Sequence, residues 1–468
     1  MKTKSVYYLV FSLFLCSWVK AQEPEHATAL TDAEAYAFSD TTRLYTVRAI
    51  VIEGNRRTKD FVILRELTFH TNKKYTLSSL TRKFTESRRF LTNTGLFHNV
   101  IIALAGMKGT DATVRVVVKE RWLFQPMPYL KVVDENKMDV RRVNYGLKLS
   151  SRSITGRNDR LKLYFMAGFN HQVALQYENL YLDKNLKWTA SFGASYSKTH
   201  TLNYATTNNH WLEYKDNQKY VRSYFNPSIT ISYRPAFKTV HKFIVGYHSE
   251  SIADTIAKLN PYYAGGKKSF HYPELGYKLI YTDVDFLPYP LKGETGEITL
   301  TRKGFKSPFN LWQLWAKASF NRPISDKYFI SLRTVGVLKL PFNQPYIMHS
   351  LWDKMNFQGF DDYIMDGVAG GYTKIIFSRQ LVQKVVHIPS EKVKQLNNIP
   401  LRVYGKVFGN MGYFYHPDAK NNRLNNQLLY AGGFGIDIIG LTDIVVKLEW
   451  TFNQLGGNNL SLRDGTFY

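Results

Sequence analysis

Between Lys187 and Ser197 apolar and polar residues alternate without a break. Trp188, Ala190, Phe192, Ala194 and Tyr196 stand on one face, and Lys187, Thr189, Ser191, Gly193, Ser195 and Ser197 on the other. Successive side chains of a strand point to opposite faces, so a period of two describes a strand and excludes a helix. The pattern recurs near the C-terminus, where Val446, Leu448, Trp450 and Phe452 alternate with Lys447, Glu449 and Thr451. Shorter runs carry Ile229, Ile231 and Tyr233, and Leu161, Leu163, Phe165 and Ala167. In a soluble sandwich the apolar face would be the core. A polar face with Lys and Glu in mid-strand fits a wet lumen instead, with the apolar face turned to lipid.

Composition supports the lipid reading. Past Ala21 no stretch approaches eighteen consecutive apolar residues, so no transmembrane helix is expected. Yet the chain has 32 Tyr and 30 Phe, with a mean hydropathy of only −0.30. A transmembrane barrel has this composition because only every second strand residue need be apolar.

The first residues read as a secretory signal peptide over 1–21. Met1-Lys2-Thr3-Lys4 is basic, an apolar run extends from Val6 to Val19, and Val19-Lys20-Ala21 is a usable cleavage site. Cys16 is the sole cysteine, so the mature chain would have no disulfide framework, thiolate metal site or catalytic thiol. The formal charge is +25, and losing the three lysines before residue 21 leaves +22. In an exported protein this excess points to anionic lipid headgroups, lipopolysaccharide and the lumen, and not to nucleic acid.

Sixteen strand segments can be placed between Pro126 and Tyr468. The longest connections, 199–218, 249–269, 339–368 and 415–428, all fall on the side opposite the N-terminal domain. The other side has tight turns such as Arg234-Pro235 and Gly440-Leu441-Thr442, with 383–399 as a long exception. Long loops outside and short turns inside are the asymmetry of outer-membrane barrels. The expected fold class is mostly β: a 16-stranded antiparallel transmembrane β-barrel over 123–468, preceded by one small α/β domain over 43–122. A mobile linker, 22–42, would join that domain to the signal peptide.

Within 43–122, Val47 to Ile52 alternates as a strand and ends at the turn signal Gly54-Asn55. Thr58 would cap a helix through Leu67, and Thr76 a second carrying Leu80, Phe84, Phe90 and Leu91. Strands Val100 to Ala105 and Ala112 to Val118 follow, giving the order β-α-α-β-β. The strings Val51-Ile52-Glu53-Gly54-Asn55, Ile63-Leu64-Arg65-Glu66-Leu67, Leu91-Thr92-Asn93-Thr94-Gly95-Leu96-Phe97 and Val116-Val117-Val118-Lys119-Glu120-Arg121 resemble a POTRA domain. POTRA domains are the periplasmic modules of the BamA/TamA superfamily. That resemblance implies a bacterial outer-membrane protein with its POTRA domain in the periplasm.

The barrel carries the resemblance further. The superfamily places an Arg-Gly-aromatic motif in the long sixth outer loop, which folds into the lumen. This chain has Gln358-Gly359-Phe360 there, followed by Gly370-Gly371-Tyr372. The family strand motif Phe-x-Asp-x-Gly reads Phe408-Gly409-Asn410-Met411-Gly412. The family's Arg and Asp have thus both become neutral amides. Replacing both partners strands neither charge, so Gln358 and Asn410 are expected to dock the loop by amide hydrogen bonding. The alternative is an ordinary outer loop with Asn410 facing water. The family's assembly enzymes carry several POTRA domains, and one is legible here.

The resemblance implies client strands added to a POTRA sheet edge, for which Val100, Ile101, Ile102, Ala103, Leu104 and Ala105 are the candidate. It also implies a barrel seam between first and last strands. Pro126 and Pro128 would weaken the first, and Gly456-Gly457 precedes the last. Prolines also mark strand starts and glycine pairs also end loops. The leading function is an outer-membrane protein assembly or insertion factor, or an accessory of that machinery. The alternatives are a dedicated translocation pore, or a passive channel or structural subunit of an envelope complex. Implied partners are unfolded outer-membrane or secreted proteins, lipid and lipopolysaccharide, and periplasmic or lipoprotein accessory subunits. The sequence has no Gly-x-Ser-x-Gly elbow, His-Glu-x-x-His or P-loop, so no enzyme, cofactor or metal is expected. Gly432-Gly433-Phe434-Gly435 lies in a strand and does not read as a nucleotide cradle.

Overall fold

The computed structural model describes residues 42–132, 143–351, 357–386, 399–440 and 444–464. The expected signal peptide and all but the last residue of the expected linker lie outside them.

The N-terminal unit contains β1 (Leu44–Glu53), α1 (Asp60–Arg65), β2 (Lys74–Thr76), α2 (Leu77–Asn93), β3 (Phe97–Lys108) and β4 (Asp111–Glu120). Its sheet order is β2-β1-β4-β3, with β1 and β4 parallel and the other pairs antiparallel. The short β2 was not legible in the sequence. Val47, Ile63, Leu67, Phe69, Leu80, Leu91, Phe97, Val114 and Val116 form a closed core between helices and sheet. Thr76 caps α2 as expected, its Oγ1 accepting from the Ser79 amide at 3.2 Å. Thr58 does not cap α1. The N-cap is Lys59, without a side-chain bond, and the helix ends at Arg65 instead of Leu67.

Thr58 is instead buried, and its N–H donates to Glu120 Oε1 at 2.6 Å, beside the Arg57 N–H at 3.1 Å. Burial opposes ionisation of Glu120, but these N–H groups and the Arg57 guanidinium outweigh it and hold the carboxyl below its ordinary range. Gly54 sits at φ +88°, and a Cβ there would lie 2.0 Å from the Val118 carbonyl oxygen. Only glycine fits this turn.

The second sheet has sixteen strands, each paired with its neighbour in the sequence of sheet strands. They are β5 (Phe124–Val132), β6 (Val143–Arg152), β7 (Arg160–Gly168), β8 (His171–Tyr181), β9 (Trp188–Thr199), β12 (Arg222–Tyr233), β13 (Thr239–Ile252) and β14 (Ser269–Val284). The order continues with β15 (Gly293–Lys306), β16 (Phe309–Pro323), β17 (Tyr328–Leu340), β18 (Ala369–Val386), β19 (Ile399–Tyr415), β20 (Leu428–Ile439), β21 (Val445–Asn453) and β22 (Asn458–Asp464). A separate hairpin, β10 (Thr201–Thr207) with β11 (His210–Lys215), fills the connection from β9 to β12. A one-turn helix, α3 (Asp254–Leu259), lies in the next long connection.

Burial decides between barrel and sandwich. On β21, Leu448, Trp450 and Phe452 are exposed, whereas Glu449 and Thr451 are each 1% exposed. On β9, Trp188, Phe192 and Tyr196 are likewise exposed and Ser197 is buried. Apolar residues outside and polar residues inside invert a soluble core, and this is a transmembrane β-barrel. The long connections 200–221, 253–268, 341–368 and 416–427 all fall at one end by strand parity. The expected long inner connection lies mostly outside the described residues.

Candidate functional site

The lumen is furnished by loops that fold inward. From the long-loop end, Phe357 and Phe360 of the 341–368 connection stack with centroids 5.2 Å apart, and both are essentially inaccessible. They pack with Val335 and Val337 of β17, Phe414 of β19, and Leu429 and Ala431 of β20. At the opposite end, Tyr289 of the 285–292 turn stacks on Tyr404 at 4.9 Å, and its hydroxyl donates to Asp437 at 2.9 Å.

The glycine of the loop motif is dictated by space. Gly359 has φ +92°, and a Cβ there would approach the Ala431 Cβ to 2.5 Å. The strand motif divides into three jobs on the lumen face of β19. Phe408 places its ring 3.8 Å from the Lys374 ammonium, a close cation–π contact. Asn410 Nδ2 donates to the main-chain oxygen of Gln358 at 2.9 Å. Gly412 leaves room for the Phe357 ring, which a Cβ would meet at 3.1 Å. Gln358 and Asn410 are thus brought together, through the loop backbone and not through paired amide side chains.

The Gln358 side chain goes elsewhere. Its Nε2 donates to Glu449 of β21, a residue that sequence reading had placed only as a lumenal polar position. Glu449 also meets Lys406 at 2.6 Å and Arg463 at 3.7 Å. Lys406 in turn reaches Asp437 at 2.6 Å. A continuous row therefore runs Arg463, Glu449, Lys406, Asp437, Tyr289. Register explains why Lys406 and Glu449 meet across an intervening strand. Gly435 of β20 pairs with both, and a Cβ at Gly435 would lie 3.1 Å from the Glu449 Cγ. The glycine run in β20 thus makes a gap that the ion pair bridges.

Two further ties hold the loop to the last hairpin. Asn453 Nδ2 donates to the Gly359 carbonyl at 2.6 Å, and Asp361 pairs with Arg463. The carboxamide oxygen of Asn453 accepts from the Leu455 and Gly457 amides. Gly456, at φ +77°, sits in that turn. The other proposed seam residues, Pro126 and Pro128, lie on β5, so the seam residues flank the two ends of the strand order.

Three long loops are tied by asparagines. Asn209, 1% exposed, donates from its side chain to the Ile364 carbonyl at 3.0 Å and to Asn425 Oδ1 at 3.2 Å. Its own oxygen accepts from the Leu424 amide at 2.9 Å. Asn422 accepts from the Asn209 amide, and Asn425 donates to the Asp366 carbonyl at 2.6 Å. His200, just after β9, is buried. Its amide donates to Asn170 and its ring nitrogen lies 2.8 Å from the Asp216 carbonyl. His210 is exposed.

In the N-terminal unit, the expected client edge lies on β3, at one end of the sheet order. Val100 to Leu104 pair in register with β4, whereas Ala105 falls in the register shift between Leu104 and Gly106. Val100 points into the core and Ile101 is half exposed. Among the described residues no group of His, Cys, Asp or Glu is arranged to hold a metal ion.

A small α/β domain joined in sequence to a sixteen-stranded barrel with an inward-docked loop defines the class of POTRA-bearing outer-membrane barrels. Residues 45–121 match the POTRA family, described as a surface antigen variable number repeat. The chain is 41% identical over 81 residues to the outer membrane protein assembly factor BamA of Neorickettsia risticii (strain Illinois). That match covers 17% of this chain and a tenth of the relative's length. Among solved structures, BamA from Haemophilus ducreyi lacking POTRA domains 1–3 is 14% identical at a TM-score of 0.48, over 90% of this chain and 85% of that one. CdiB from Escherichia coli is 12% identical at 0.49, over 94% and 92%. The fold assignment rests on the strand ladder itself. Among its described residues the chain therefore joins one POTRA domain to a sixteen-stranded outer-membrane β-barrel.

Proposed function

We propose that this protein assembles or inserts proteins into the outer membrane, or serves the machinery that does so. Client strands add to the free edge of the POTRA sheet at Val100 to Leu104 and engage the barrel at its seam. The supporting observation is the sheet order: among the described residues β3 pairs with β4 on one side only, with five consecutive residues in register before a bulge. A strand edge presents unpaired N–H and C=O groups to any extended chain. The bulge at Ala105 ends the run, so the edge suits short segments. Lipid, lipopolysaccharide and accessory subunits are the remaining partners of this reading.

The test is quantitative proteomics of outer-membrane and secreted fractions after depletion. A broad fall in barrel proteins is the expected result. Loss of one or two surface or secreted proteins would replace this reading with a dedicated translocator. An unchanged proteome would leave a passive channel or structural subunit.

A further inference from the structure

At the long-loop end of the lumen, strands β12, β13 and β14 and the hairpin β10–β11 border a cavity of about 670 Å³. That volume lies in the range of pockets that take small organic ligands. Its wall is rigidly supported. Tyr263 and Tyr272, 3% and 6% exposed, line it and share one buried apolar cluster with Leu202, Val221, Phe270 and Phe309. The His248 ring stacks on Tyr272 at 4.8 Å, and its Nε2 lies 3.0 Å from Glu250. Arg222 holds the same carboxylate by two contacts of 2.8 Å.

Polar groups without bonds of their own converge on this space. Among the described residues, the buried carboxamide oxygen of Asn226 accepts no hydrogen bond. The Glu274 carboxylate and the hydroxyls of Tyr263 and Tyr272 also lack hydrogen-bond partners there. A buried polar group left unpaired is costly, and a ligand that pairs it recovers that cost. Charges, by contrast, are largely matched. Glu250 takes Arg222, Lys303 stands opposite Glu274 in the ladder, and Asp366 accepts from the Thr206 hydroxyl. Glu213 of β11 adds one more acceptor on the loop side. The wall therefore selects hydrogen-bond donors and not a phosphate. It offers an extended polypeptide no free edge either, because β12, β13 and β14 are each paired on both sides.

We propose that this cavity is a saccharide site that takes a short neutral oligosaccharide. Sugar hydroxyls both donate and accept, so one ligand class matches the Asn226 oxygen, the Glu274 carboxylate and the two tyrosine hydroxyls together. The carboxylate is the strongest of these acceptors, since hydrogen bonds to an ionised group are shorter and stronger than neutral ones. Trp211 and Tyr346 add further rings to the lining. The electron-rich face of an aromatic ring attracts the C–H groups of a pyranose. A lipid-borne glycan and a soluble one share this chemistry.

The experiment uses the full chain, refolded into an amine-oxide detergent free of sugar head groups and of lipopolysaccharide. Maltotriose, cellotriose, mannotriose and galactotriose are titrated by calorimetry, and the tightest binder is carried forward. Saturable binding of at least one is expected, weakened about tenfold or more by Glu274→Gln, as befits loss of a charged acceptor. Tyr272→Phe keeps the ring packing and is expected to weaken binding about threefold or more. Lys242→Gln, on the lumen face of β13 outside the cavity, is expected to leave affinity unchanged. Binding of none of the four, full affinity in both Glu274→Gln and Tyr272→Phe, or equal weakening by Lys242→Gln overturns the proposal. A synthetic peptide spanning Val445–Asn453 that binds where every saccharide fails, with Glu274→Gln weakening it, assigns the cavity to polypeptide and also overturns it. Repeating the titration in nanodiscs containing lipopolysaccharide separates the sources. Loss of trisaccharide binding there assigns the site to the lipid-borne glycan, and retention assigns it to a soluble one.

Discussion

One methyl group is enough to test the docked loop. Gly359→Ala would force a Cβ against Ala431 at a positive φ. It is expected to cost about 1–3 kcal/mol, read as a lower thermal midpoint of the gel-shift transition that folded barrels show in detergent. Glu449→Gln is expected to cost about 1–3 kcal/mol, because it removes a charged acceptor from Lys406 and Arg463 while Asp437 and Asp361 remain paired with them. Combining it with Lys406→Met should cost less than the sum of the single changes, since the two side chains are in contact. Of this network, Gln358, Gly359 and Asn410 were legible because a motif in the sequence marks them. Glu449 and Lys406 were not. Their meeting depends on which residue of β20 lies between them, and only the register shows that it is Gly435.

At the scale of elements, the POTRA unit has a pH dependence of known sign. The folded pKa of Glu120 lies below its unfolded value. Its stabilising contribution is therefore complete above the ordinary carboxylate pKa, about 4.3. It is lost as the pH falls through the lower folded value. The protection of amides 45–121 against hydrogen exchange, measured in the whole protein relative to the unfolded chain at the same pH, should fall as the pH drops below the ordinary carboxylate pKa. Glu120→Gln should remove that acid dependence and lower the protection at neutral pH. The sixteen barrel strands were legible because each alternates for most of its length and each is bounded by a turn signal or a loop. The hairpin β10–β11 was not, because Thr201–Thr207 and His210–Lys215 are short and mixed in polarity. Thr58 misled for a related reason. A capping residue type preceded a helix, but a carboxylate 62 residues away claimed its backbone N–H.

For the whole molecule, the ladder sets Lys242 opposite Lys278, Arg333 opposite Lys374 and Lys447 opposite Arg463. Which cations share which acids was beyond any reading of composition, since it follows from ladder alignment. The long loops are a separate matter, held by amides. Asn209→Ala removes a buried donor and acceptor that join three loops. It is expected to raise protease cleavage within 341–368 and 416–427, with a stability loss of about 1–3 kcal/mol. The barrel ladder should keep its exchange protection.

That asparagine cluster has a consequence for how the mouth of the barrel is opened. Its members, Asn209, Asn422 and Asn425, carry no charge and take no proton, and most of their bonds are to peptide groups. Acid, salt and membrane voltage give such a clasp little to act on. What does compete for it is another backbone offering the same N–H and C=O groups. Competing peptide groups, more than a change in the surrounding medium, are what such hydrogen bonds between loops yield to.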